Sequence, residues 1–124
     1  MKATLLDTGV IVALLDRAAR HHVQCVETVS DLIGPLVTCE SAVAEACYLL
    51  RGTPGAPEAI LENVANGVFQ TPVRLADRAS AVGKLLRKYR DVPMSLADAC
   101  LVDLADRMDT GQILTLDRDF AIYQ

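Results

Sequence analysis

Two carboxylates of this 124-residue chain come directly after short apolar runs: Asp7 follows residues 3–6, and Asp117 follows residues 112–116. In open α/β sheets the ligand site lies beyond the carboxyl ends of the strands, near the point where strand order reverses. If the two runs are neighbouring strands, both acids meet at one edge. Two further acids sit on helical stretches away from the plain solvent face. At about 100° per residue, Glu45 falls beside Leu49 on the flank of an apolar stripe, and Asp98 falls between Leu101 and Ala105 on the flank of another. Carboxylates gathered without a counter-charge repel and raise one another's pKa values. A divalent cation resolves the conflict, and oxygen donors with no His or Cys set beside them suit Mg²⁺ or Mn²⁺. The chemistry of such a site is hydrolysis of phosphate esters, in which the cation makes a water acidic and neutralises the leaving oxygen. With 16 acids in the chain, some fall near strand ends by chance. Spacing alone therefore leaves a solubilising surface as the alternative.

The elements that must position these acids are short strands alternating with helices. Apolar runs at 3–6, 36–38, 68–70 and 112–116 read as strands, the first closed by the turn Asp7-Thr8-Gly9 and the last by Asp117-Arg118-Asp119. Helical patterns occupy 10–17, 22–33, 40–50, 57–66, 75–89 and 96–108. Gly34-Pro35 stops the second, Gly67 caps the fourth, and Ser95 is the expected N-cap of the last. The alternation predicts right-handed crossovers and a short, mainly parallel sheet flanked by helices. The fold class is α/β with helix in excess. Hydrophobic residues make up 52% of the chain and aromatics only 4%, which predicts a core of small and aliphatic side chains and excludes disorder and an all-β sandwich. The length suits one domain over residues 1–124.

The residues now assembled resemble a known family. Leu5-Leu6-Asp7-Thr8-Gly9-Val10-Ile11-Val12-Ala13-Leu14-Leu15-Asp16 and Leu114-Thr115-Leu116-Asp117-Arg118-Asp119-Phe120 are similar to the two terminal signatures of PIN domains. Between them, Ser41-Ala42-Val43-Ala44-Glu45 resembles the second acidic motif and Ser95-Leu96-Ala97-Asp98-Ala99 the third. Each motif is short, but their order and spacing span nearly the whole chain. The resemblance implies a three-layer PIN-like fold and a metal-dependent endoribonuclease, most similar to the VapC-type toxins of prokaryotic toxin–antitoxin pairs. It makes Asp7, Glu45, Asp98 and Asp117 the ligands of Mg²⁺ or Mn²⁺, with Asp119 as an accessory acid. Thr8 and Thr115 match positions where members carry hydroxyls near the site. The resemblance also implies an RNA substrate, a cognate antitoxin and a homodimer. Many members run past the Asp-Arg-Asp-Phe turn into a further strand, whereas this sequence ends at Tyr123-Gln124, which leaves that sheet edge and the dimer open.

Net charge is −4 and the pI near 5.0, at first sight a poor match to nucleic acid. Setting aside Asp7, Glu45, Asp98, Asp117 and Asp119 leaves 11 of 16 acids against 12 bases, or +1. Arg74, Arg78, Lys84, Arg87, Lys88 and Arg90 put six bases against the single acid Asp77 between positions 74 and 90, either a surface for RNA phosphates or an ordinary solvated face. Cys25, Cys39, Cys47 and Cys100 lack any CxxC spacing and read as small core residues of a reducing, cytoplasmic protein. His21 and His22 read as a solvent-facing pair. Asp7 breaks the only stretch resembling a signal peptide, and no apolar run approaches membrane-spanning length. A receiver-like phosphoacceptor is disfavoured because Asp7 is followed by Thr8 and Gly9, and no lysine follows Lys88. Gly9 likewise stands where a dehalogenase-type phosphatase needs its second acid. A PIN nuclease of RNA processing without a toxin role, and a non-catalytic α/β interaction module whose acids do not converge, remain as alternatives.

Overall fold

The computed structural model describes residues 2–108 and 112–116. Elements run in the order β1 (Thr4–Leu6), α1 (Thr8–Leu15), α2 (His22–Ser30), β2 (Leu36–Val37), α3 (Glu40–Leu49), α4 (Ala56–Ala65), β3 (Phe69–Gln70), α5 (Leu75–Lys88), α6 (Leu96–Met108) and β4 (Ile113–Leu114). The four strands form one sheet in the order β3-β2-β1-β4, parallel throughout. The expected α/β class and alternation are therefore present. Every residue of β1 is buried, as a parallel strand covered on both faces requires.

The strand order contains the feature that matters for function. The chain steps from β1 outward to β2 and β3, and then returns to place β4 on the other side of β1. The switch point thus lies between the carboxyl ends of β1 and β4, paired as Leu5 with Ile113 and Leu6 with Leu114. The core around these strands is aliphatic, with Leu5, Leu6, Val10, Ile11, Ile60 and Leu101 wholly enclosed. Burial of side chains of this size contributes roughly 1.5–3 kcal/mol each relative to exposure. Helix α1 reads Thr-Gly-Val-Ile-Val-Ala-Leu-Leu, apolar nearly all round, and it packs on α2, α3 and α4. Helix α6 packs on α3 and α5.

Local chemistry sets the boundaries. Helix α4 ends with Gly67 at φ 77°. The Gly67 N–H donates to the Val64 carbonyl at 3.1 Å and the Val68 N–H to that of Asn63 at 2.9 Å, the paired bonds of a Schellman cap. Helix α2 departs from expectation: it stops at Ser30, with Asp31 as its C-cap, so Gly34 does not cap it. Gly34 is instead required by close approach, since a Cβ there would lie 1.8 Å from the Lys2 carbonyl oxygen. The histidines differ as well. Both are half-buried, and His22 Nδ1 donates to the Ala13 carbonyl at 2.7 Å, tying α2 to α1. The cysteines are unpaired, with Cys25 and Cys39 buried. Among the described residues no helix is long and apolar enough to cross a membrane.

Candidate active site

Asp7 sits at the switch point, only 4% exposed, and its surroundings explain why a charged side chain is tolerated there. Its backbone N–H donates to the Leu114 carbonyl at 3.3 Å, continuing the β1–β4 ladder one residue further. Its extended backbone makes it the N-cap of α1, where Oδ1 accepts from the Val10 N–H at 2.9 Å. The positive end of the helix dipole favours a carboxylate in this position. Oδ2 accepts from the hydroxyl of Thr115, the residue after β4. Each carboxylate oxygen has two lone pairs, so these bonds fix the group while leaving acceptor capacity for a ligand. Thr8, also buried, opens α1.

Asp98 lies in the first turn of α6 and is half-buried. The Ser95 hydroxyl accepts from the Asp98 N–H at 3.0 Å, and Asp98 Oδ2 accepts from the Ser95 N–H, also at 3.0 Å. This reciprocal cap locks the start of α6. Ser95 is the N-cap the sequence implied. The return bond from Asp98 was equally legible, because Ser-x-x-Asp is a capping-box spacing.

Glu45 lies on α3 as an exposed residue. Its carboxyl is nonetheless pushed above the usual range, first by partial burial, then by the negative charges of Asp98 and Asp7. For a residue exposed overall, the like charges are the informative part: carboxylates at the end of β1 and at the start of α6 both reach Glu45 on α3. They do not close into a ready-made cage. Among the described residues no three Asp, Glu, His or Cys side chains are arranged to enclose a metal ion. Asp117 and Asp119 lie outside the described residues; of the residues before them, Thr115 bonds to Asp7. The donor set fits a hard divalent cation, being all carboxylate, with Glu45 raised by burial and then by neighbours of its own charge.

Sequence reasoning overlooked Thr38. Its hydroxyl donates to the Leu6 carbonyl at 2.9 Å in a fully enclosed setting, pinning the end of β2 to the residue before Asp7. It also assigned Arg74 and Arg78 to a free basic surface. Arg74 pairs with Asp77 at 3.3 Å. Arg78 makes a two-pronged bond to Asp103 at 2.9 and 2.7 Å, with the Asp103 side chain only 10% exposed, joining α5 to α6.

The sequence profile of the PIN domain matches residues 4–124. The chain belongs to the PIN-domain family. It is 34% identical over 116 residues to Ribonuclease VapC26 of Mycobacterium tuberculosis, covering 92% of this chain and 86% of that protein. Its fold matches the crystal structure of VapC20 of Mycobacterium tuberculosis, described as a sarcin-ricin loop cleaving toxin, with a TM-score of 0.87. That match covers 96% of this chain and 93% of the other at 17% identity, so it speaks for the PIN fold alone. The fold expected from the motifs is thus the one found.

Proposed function

We propose that the chain is a metal-dependent endoribonuclease of the VapC type, the toxin of a toxin–antitoxin pair. The observation that carries this reading is the buried Asp7 fixed at the β1/β4 switch point, with its charge and that of Asp98 both felt at Glu45. The relative named as a ribonuclease supports it. Asp7, Glu45 and Asp98, with Asp117 beyond the described residues, would hold Mg²⁺ or Mn²⁺, and Asp119 is the accessory acid. When bound, the cation acidifies water and neutralises charge that develops on the phosphate. The chain supplies the rigid frame. Asp7 is fixed from two sides by Val10 and Thr115, and Asp98 is held by the Ser95 cap. Neither carboxylate needs to reorganise when charge builds on the substrate, which is the condition for efficient electrostatic stabilisation.

The substrate is single-stranded or looped RNA, because side chains cannot read the deep groove of an RNA helix. A cognate antitoxin, a homodimer, a single domain over residues 1–124 and action in the cytoplasm belong to the same reading. The test is incubation of the purified chain with structured RNA in Mn²⁺. Cleavage that stops on chelation and returns on adding Mn²⁺ supports the assignment; cleavage that survives chelation overturns it.

A further inference from the structure

An acidic site repels the phosphates it must cut, so a strand of RNA needs positive charge beside the cleft. Helices α5 and α6 pack against each other, and two points along them order the pair as antiparallel. Arg78 meets Asp103, and one turn further along α5, Val82 lines the same cleft as Cys100, about one turn back along α6. Continuing that register sets the last turn of α5 level with the first turn of α6, where Asp98 stands, at a typical helix spacing of about 10 Å. Leu85, Tyr89, Val92 and Met94 pack against the core at this end. At about 100° per residue, Lys84 and Arg87 fall away from that face and Lys88 on its flank, its Nζ 5.2 Å from the centre of the Tyr89 ring, and all three, with Arg90, are exposed. Residues 84–90 contain four bases and no acid, Asp91 being the next. Among the described residues none of the four has an ion-pair partner, whereas Arg74 and Arg78 are both engaged.

We infer that Lys84, Arg87, Lys88 and Arg90 form the surface that holds the RNA backbone beside the cleft, and that Arg74 and Arg78 do not belong to it. The inference rests on the nuclease reading above and adds where the substrate lies. Arg87 and Lys88 also complement the C-terminal dipole of α5, a purely structural role that would not respond to RNA. Contacts to phosphate release counter-ions, so each one contributes about 0.7–0.9 to the slope of log affinity against log salt.

The experiment measures binding of a fluorescent stem-loop RNA in chelator across a salt series, for wild type, a Lys84→Gln/Lys88→Gln double variant and Arg74→Ala. Thermal melts confirm that each is folded. The double variant is expected to bind at least tenfold more weakly, with a slope shallower by about 1.5, and in Mn²⁺ to show a raised KM with kcat retained. Arg74→Ala is expected to match wild type. If the wild type cleaves RNA but the double variant keeps its affinity and slope, this surface is refuted while the nuclease reading stands. If wild type neither binds nor cleaves, both fall.

Discussion

Asp7 carries a structural duty and a chemical one, and substitution can separate them. In Asp7→Ala the Val10 N–H loses its acceptor, and loss of an N-cap side chain costs about 0.5–2 kcal/mol. The Thr115 hydroxyl loses its acceptor too. Because Thr115 is only half-buried, this adds about 1 kcal/mol, the low end of the range for an unmade bond. The expected total is about 1.5–3 kcal/mol. Asn is as good an N-cap as Asp, so Asp7→Asn keeps the bond to Val10, and the Thr115 hydroxyl can turn to accept from the amide. Removing the charge also relieves Glu45, whose carboxyl Asp7 helps to raise. Asp7→Asn should therefore lie within about 1 kcal/mol of wild type and yet lose RNA cleavage. Urea unfolding followed by circular dichroism, paired with cleavage in Mn²⁺, reads both. Equal destabilisation of the two variants would refute the capping argument, and full cleavage by Asp7→Asn would refute the chemical one.

Thr115→Val should lower cleavage while Thr115→Ser restores it, since it is the hydroxyl that donates to Asp7; a fully active Val variant would show that the bond does not position the carboxylate. Two glycines should respond with opposite signs. Gly34→Ala drives a Cβ against the Lys2 backbone and should cost about 1–3 kcal/mol, whereas Gly83→Ala, inside α5 with nothing within 4 Å, should stabilise by about 0.5–1 kcal/mol. Paired thermal melts decide it. Burial pushes the Cys39 thiol up from 9.0 to about 12. Between those values the unfolded chain sheds a proton that the folded chain keeps, so stability is intact below pH 9 and falls as pH rises, by up to about 1.4 kcal/mol per pH unit. Urea midpoints from pH 8 to 10.5 should fall more steeply for wild type than for Cys39→Ser.

The elements were legible because each is marked by local physics. Gly67 and Ser95 end and start helices through their own backbone or hydrogen-bonding preference, and both do so where the pattern placed them, whereas Asp7, read as part of a turn before a helix at 10–17, is itself the N-cap of a helix over Thr8–Leu15. Strand pairing was not legible. That β4 lies beside β1 rests on contacts between residues more than a hundred positions apart, and no local pattern encodes them. The motif resemblance supplied that link by implying a known fold. The same distinction explains the misreadings. Gly34 looks like a helix cap locally, but its need comes from the Lys2 backbone across the chain. His22 looks solvated at a helix start, but Ala13 of α1 reaches it. Arg78 looks like a free base, but Asp103 of α6 claims it. The net charge misled for a related reason: a total does not say that Asp7, Glu45 and Asp98 share one neighbourhood while Lys84, Arg87 and Lys88 share another.

The central claim is that carboxylates from β1, α3 and α6 act together on one divalent cation. Titration of Mn²⁺ followed by electron paramagnetic resonance tests it directly, using wild type, Glu45→Gln and Asp98→Asn. Wild type is expected to bind Mn²⁺ saturably, with affinity weakened at least tenfold in each variant. Unchanged Mn²⁺ affinity in both variants would contradict it.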